Sequence, residues 1–214
     1  MPKSFDKYAF SYEKYNSIQK SLIRRYINLL SNRVVDLGCG SEGLCKYRNF
    51  DFYLGIDKSE EMLKRNPCNT LLCDFDDMEC FERLKEFEFD EIVSFSALQW
   101  SRDLKKVFEN IALFKKPFTL ALFTSNTFKN LHSFLGVKSP IYSKEEILEY
   151  SKILSPRVEV LRFKKEFKTS IEMLRYIKLS GVNPKKMAGI KKLREICKKN
   201  LIKELEFEVI VLKS

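Results

Sequence analysis

The sequence predicts a doubly wound α/β fold on a seven-stranded, mostly parallel sheet, and three observations carry that expectation. Short apolar runs of strand length alternate with segments of helical period. A cluster of three glycines follows the first apolar run, and the second run ends in an aspartate. Alternation of this kind makes βαβ units, which place strands side by side in parallel. In chain order, residues 11–31 carry Ile18, Leu22, Ile23, Tyr26 and Leu30 at helical spacing, and Ser31 and Asn32 close the run. The period then changes. Residues 33–37, 51–57, 70–73, 91–95 and 118–123 read as five buried strands, with helical patterns over 59–65, 80–88 and 101–114 between them. Beyond Thr124, helical runs cover 126–135, 143–154, 170–180 and 185–203. Residues 158–167 and 207–212 read as the last two strands, joined by a long helical excursion. Helical insertions at 126–155 and 168–200 are expected to cover the open, C-terminal edge of the sheet.

Neither repeats nor a low-complexity linker divide the 214 residues, so one domain is expected. Its parts would be an N-terminal helical segment over 1–31, a core over 32–124, helices over 125–200 and a final strand over 201–214. At 44% hydrophobic and 13% aromatic, the chain has the apolar mass for a core, which excludes a disordered protein. Apolar stretches stay strand-sized, so no membrane span is expected. The opening residues show no export signal, which points to the cytoplasm. Six cysteines (39, 45, 68, 73, 80 and 197) form no CxxC pair, and there is one histidine. Free thiols and no structural metal follow from that pattern. Net charge is +10, and residues from 144 onward hold 18 basic against 10 acidic side chains. That asymmetry suggests an acidic partner, and equally suits a solvated lysine-rich face.

Gly38, Gly40 and Gly43 follow the first strand and precede a short helix, an arrangement that lets backbone approach a ligand closely. Asp57, at the end of the second strand, stands where a carboxylate accepts hydrogen bonds from a ribose diol. A dinucleotide and S-adenosylmethionine both remain open at this point. The run Val35-Asp36-Leu37-Gly38-Cys39-Gly40 resembles the first motif of class I S-adenosylmethionine-dependent methyltransferases, which have a Rossmann-like fold. The resemblance implies that Asp36 sits near the ammonium of S-adenosylmethionine, where a carboxylate suits the cation as it would not suit a pyrophosphate. Ser41 and Glu42 make the loop one residue longer than the Gly-x-Gly-x-Gly of many relatives. The resemblance further implies that Asp74 meets the adenine amino group, with Phe75 against the ring.

After the fourth strand, Ala97-Leu98-Gln99-Trp100, with Asp103 and Leu104 beyond it, resembles the malonyl-acyl-carrier-protein methyltransferases of biotin synthesis. Trans-aconitate methyltransferases are similar here. The Asn/Asp-Pro-Pro-Tyr/Phe motif of enzymes acting on exocyclic amines or glutamine is absent. Phe5, Ala9, Tyr12 and Gln19 resemble the family's N-terminal lid. Thr124, Thr127 to Leu131, Tyr142 to Ile147, and Leu174 to Asn183 fall in the family's order. The resemblance thus spans residues 5–183. It implies S-adenosylmethionine as cofactor, held by Tyr12, Gln19, Asp36, Gly38, Cys39, Gly40, Asp57, Lys58, Met62, Asp74, Phe75, Ser94 and Trp100. The acceptor would be the free carboxylate of malonyl-acyl carrier protein. A carboxylate, with an unperturbed pKa of about 4, is already ionised at pH 7 and needs no general base. The protein would only position it, and His132, Lys129, Arg175, Lys178 and the neutral donor Tyr142 are the candidates to hold it.

Several of these residues have plain structural readings: Trp100 as packing, Tyr12 as a staple on the first helix, His132 as a core or surface residue. Asp76 and Asp77 read as a helix start. Lysines 185, 186, 191, 192, 198 and 199 form either a solvated face or a dock for the acidic carrier protein. Rival functions are a small-acid methyltransferase of the trans-aconitate type, an RNA methyltransferase favoured by the basic surplus, and a non-catalytic cofactor-binding relative. A membrane partner is not expected, and nucleic acid is disfavoured because no RNA module is appended.

Overall fold

The computed structural model describes residues 16–179 and 190–214. Seven strands form one sheet: β1 (Arg33–Leu37), β2 (Phe52–Asp57), β3 (Thr70–Leu72), β4 (Glu91–Phe95), β5 (Phe118–Phe123), β6 (Arg157–Glu166) and β7 (Glu204–Lys213), in the order β3-β2-β1-β4-β5-β7-β6. The first five are parallel to one another, and β7 lies antiparallel between β5 and β6. The chain returns between parallel strands through α2 (Glu60–Leu63), α3 (Met78–Leu84) and α4 (Leu104–Leu113), since parallel neighbours need a crossover rather than a hairpin. α1 (Ser17–Tyr26) precedes the sheet. The helices α5 (Lys129–Leu135), α6 (Lys144–Tyr150), α7 (Ser170–Leu179) and α8 (Ile190–Lys199) follow β5.

Central strands are buried on both faces, which explains their unbroken apolar runs. Period two then feeds two cores. Leu120, Leu122, Ile210 and Leu212 pack with Phe81, Phe108 and Ile111 on one face. Ala121, Phe123, Val209 and Val211 pack with Leu22, Tyr26 and Tyr176 on the other.

Element ends depart from the sequence expectation where polar groups set them. β7 begins at Glu204, earlier than the apolar run, because Lys164 on β6 sits 3.0 Å from Glu204 and 3.8 Å from Glu206 across the pair. α4 starts at Leu104 because the Asp103 carboxylate accepts the Lys106 N–H at 3.1 Å. Ser143 and Glu146 form a reciprocal cap at the start of α6. α1 ends at Tyr26 and tightens into a 3-10 turn over Ile27–Leu29. There the Arg48 guanidinium donates to the carbonyls of Ile27, Leu30 and Ser31 at 2.8–2.9 Å and to Asn32 Oδ1 at 2.6 Å. Arg48→Ala orphans these acceptors, and we expect it to cost about 2–3 kcal/mol. Thermal unfolding should fall by about 5–10 °C, and an unchanged midpoint would refute that role.

The expectation of free thiols is corrected for four cysteines. Cys45 bonds to Cys68 and Cys73 to Cys80, leaving Cys39 and Cys197 free among the described residues. Neither pair shows in the spacing. The parallel order β1-β2-β3 brings the segment after β1 beside the segment before β3, and the turn out of β3 doubles back on the start of α3. None of the described helices is long and apolar enough to cross a membrane.

Candidate functional site

β1 is flanked by β2 on one side and β4 on the other, so the chain diverges at the carboxyl ends of these strands. A crevice must open at such a switch point. A cavity lies there and opens to solvent. Four segments wall it. The glycine loop contributes Asp36, Gly38, Cys39, Gly40, Glu42, Gly43 and Leu44. The end of β2 and α2 contribute Asp57, Ser59 and Met62, and the turn after β4 contributes Phe95, Ser96, Ala97 and Trp100. Asn16, Gln19 and Ile23 of the α1 region close the fourth side.

Gly38 and Cys39 donate their N–H groups to the Ile56 carbonyl at 2.8 and 2.9 Å, which pins the loop to β2. Gly38 has φ +76°, and a Cβ there would stand 2.2 Å from the Ala97 Cβ, so only glycine lets the two loops meet. Gly40 has φ +55° and faces open space, with no heavy atom within 4 Å of an added Cβ. Asp57 accepts the Gly40 N–H at 3.0 Å and the Ser59 N–H at 2.9 Å, one on each oxygen. Burial raises its pKa and those N–H bonds oppose the rise. Asp36 is buried in the floor and takes a 2.9 Å hydrogen bond from the Tyr53 hydroxyl. Its pKa is pushed up to about 7, chiefly by desolvation; the Tyr53 bond opposes this and the Asp57 charge adds to it. The Cys39 thiol is driven well above its ordinary range by burial and by both aspartates, so it stays protonated.

Asp36, Glu42 and Asp57 place three carboxylates in the wall, and no Lys, Arg or His is among its described residues. Such a cavity fits a cationic ligand. Glu42, the residue that lengthens the loop, accepts from Asn16 Nδ2 at 3.3 Å and from the Tyr47 hydroxyl at 2.8 Å, and Lys20 lies 3.6 Å away. The longer loop is thereby tied to the start of α1.

Of the cofactor residues expected from sequence, Gln19, Asp36, Gly38, Cys39, Gly40, Asp57, Met62 and Trp100 line this cavity. Tyr12, the remainder of the lid before residue 16, and residues 181–183 lie outside the described residues. Four others do not line it. Lys58 turns to Asp74 at 3.0 Å, where Arg102 also reaches Asp76 and Asp77 at 3.3 and 2.6 Å. Asp74 therefore belongs to an ion-pair cluster of three carboxylates and two cations, in which Asp76 and Asp77 pair with Arg102. Phe75 is buried beneath Gly38. Ser94 donates to the Leu37 carbonyl at 2.7 Å, tying β4 to the end of β1.

None of the five acceptor-holding candidates lines the cavity. The Tyr142 hydroxyl donates to the Ser101 carbonyl at 3.2 Å and accepts the Leu104 N–H at 3.3 Å. Lys129 borders a separate pocket with Arg162 and Glu208. Arg175 and Lys178 are exposed on α7. His132 is buried, desolvation lowers its pKa, and its Nδ1 has no hydrogen-bond partner. Asn16, Glu42, Ser59, Ser96 and Ala97 also line the cavity but have no ligand role in the sequence expectation, although Glu42 lies in the lengthened loop and Ala97 in the block that holds Trp100. Ser96 and Ala97 were findable, because they directly follow β4 in the block that holds Trp100. Asn16 and Glu42 meet only through folding, and nothing local in the sequence pairs them.

A family model described as a methyltransferase domain matches residues 35–118, the span from the middle of β1 to the first residue of β5. The malonyl-[acyl-carrier protein] O-methyltransferase of Bacillus cereus is 29% identical over 188 residues, covering 72% of this chain and 68% of that protein. The protein of the same description from Bacillus anthracis is 30% identical over 154 residues, covering 62% of this chain and 56% of its own length. The chain thus spans little more than half of that second relative. Among solved structures, a SAM dependent methyltransferase from Archaeoglobus fulgidus shares the fold with a TM-score of 0.55 at 19% identity, covering 93% of this chain and 94% of that one.

Proposed function

We propose that this chain, a class I S-adenosylmethionine-dependent methyltransferase, forms a methyl ester on the free carboxylate of a malonyl group borne by an acyl carrier protein, the esterification that the resemblance assigns to biotin synthesis. The observation that carries the donor half is the pair of buried carboxylates, Asp36 and Asp57, in a wall whose described residues include no Lys, Arg or His, which suits a ligand with sulfonium and ammonium charges; Glu42 is already matched by Lys20. The acceptor half draws support from the relatives' description and from the Ala97-Leu98-Gln99-Trp100 turn. When bound, S-adenosylmethionine supplies an electrophilic methyl group. Asp57 would hold the ribose hydroxyls with lone pairs left free by Gly40 and Ser59, and Asp36 with Asn16 and Glu42 would face the amino-acid end. Trp100, Phe95 and Ala97 would give the acceptor side an apolar wall that excludes water. No residue need remove a proton, because the acceptor arrives ionised.

The test is methyl transfer from labelled S-adenosylmethionine to malonyl-acyl carrier protein, run beside malonyl-CoA and RNA. Base-labile label on the carrier protein is expected. Label on RNA, or on none of the three, would overturn this reading. KM for the carrier protein should rise with added salt, because the excess positive charge lies in the C-terminal third and the carrier is acidic. A salt-independent KM would remove the docking role of that face.

A further inference from the structure

We propose that the Ser96 hydroxyl holds one oxygen of the acceptor carboxylate, and that Gln99 is the positioning residue that sets it there; this rests on the proposed methyl-ester reading of the same cavity. Three independent features converge on Ser96. It lines the cavity at the carboxyl end of β4, between Phe95 and Ala97. Its φ is +66°, a conformation serine rarely adopts and one that costs free energy unless the surroundings enforce it. Its hydroxyl is buried and has no hydrogen-bond partner among the described residues, and the residue is 8% exposed.

The surroundings do enforce it. The Ser96 N–H donates to the Ala121 carbonyl of β5 at 2.8 Å, and the Gln99 amide donates to the Ser96 carbonyl at 2.6 Å. Gln99 is itself buried and belongs to the 3-10 turn Leu98–Trp100. The backbone of Ser96 is thus clamped on both sides while its side chain is left unused. An unused buried hydroxyl on a residue that lines a cavity is a donor open to a ligand acceptor.

The acceptor's charge explains why a neutral donor is needed. The described wall holds no Lys, Arg or His, Tyr142 is engaged elsewhere, and burial keeps His132 from charging. A desolvated carboxylate still requires a hydrogen-bond donor. Ser96 holding one oxygen leaves the other to attack. That oxygen forms its bond to the methyl carbon as the carbon–sulfur bond breaks, the electron pair leaves with sulfur, and no proton moves. The oxygen on Ser96 becomes the ester carbonyl, a weaker acceptor than the carboxylate, which favours release.

Ser96→Gly is the informative variant, because glycine accepts the positive φ without strain and removes only the hydroxyl. Gln99→Met removes the clamp at similar volume. In Ser96→Gly we expect an unchanged or higher melting temperature and S-adenosylmethionine affinity within about threefold of wild type. Malonyl-acyl carrier protein titrated into the S-adenosylhomocysteine complex should bind about 10- to 100-fold more weakly, with kcat/KM falling in step. Gln99→Met should lower kcat/KM alone and add little on top of Ser96→Gly. If wild type methylates the carrier protein and Ser96→Gly binds and turns it over within threefold, this assignment fails alone. If Ser96→Gly loses cofactor affinity to the same degree, the hydroxyl serves the cofactor and the assignment again fails. If wild type neither binds nor methylates the carrier protein, the functional reading fails and the Ser96 role falls with it.

Discussion

Gly38→Ala is expected to cut the rate of methyl transfer by on the order of 100-fold or more, the scale set by a displacement of about 1 Å in a site that works by alignment. The new Cβ would meet the Ala97 Cβ at 2.2 Å, and both atoms sit on backbone that has little room to move. The glycine loop is pinned through Gly38 and Cys39 to Ile56, and the opposite turn is pinned through Ser96 to Ala121. One of the two loops must shift, and both wall the cavity. Gly40→Ala separates the causes. Its Cβ would meet nothing in the free protein, so the melting temperature should change little beyond the cost of a left-handed alanine, about 1 kcal/mol. The Cβ would project into the space a ligand fills, so cofactor affinity should still drop by calorimetry. Equal stability loss in both variants, with affinity intact, would show that the loop serves the fold alone.

The fold was legible because its signals are local or periodic. β1, β4 and β5 fall where the sequence placed them, since a buried parallel strand writes itself as a short apolar run. The glycine loop was legible for a similar reason: Gly38 and Gly40 are demanded by backbone geometry at one spot in the chain. What stayed hidden depends on partners far along the sequence. The acidic start of β7 is paid for by Lys164 on another strand, and the early end of α1 by Arg48 beyond β1. The disulfides needed the strand order. Asp74 and Lys58 look like ligand residues in a linear reading, yet opposite charges 3.0 Å apart satisfy each other. The position of Ser96 after β4 is readable in the sequence, but its positive φ and its hydroxyl without a partner among the described residues exist only in three dimensions.

Cofactor affinity should rise with pH between about 6 and 8 and then level off. Asp36 carries its proton up to about pH 7 because burial disfavours the charge. The sign follows from linkage. An acid whose folded pKa lies above its unfolded value favours the fold at pH below about 4, and that contribution is lost as pH rises to about 7. The free protein should therefore lose stability, by a few kcal/mol, across this window. A cationic ligand prefers the ionised carboxylate, so binding below pH 7 must expel the proton. Affinity at pH 6 should be about tenfold lower than at pH 8, with close to one proton released at pH 6. Calorimetry in buffers of different ionisation enthalpy measures both quantities. Asp36→Asn should bind weakly at every pH and show no such slope. A wild-type affinity that is flat from pH 6 to 8 would mean that Asp36 does not face the ligand's positive charge.

What occupies the cavity between the glycine loop and the β4 turn decides whether the chain binds S-adenosylmethionine there. A crystal structure of the protein soaked with S-adenosylhomocysteine measures this directly. Density is expected with the ribose on Asp57, the amino-acid end toward Asp36 and Asn16, and the sulfur facing Ser96, Ala97 and Trp100. An empty cavity at saturating ligand, or the molecule bound away from these residues, would contradict the account.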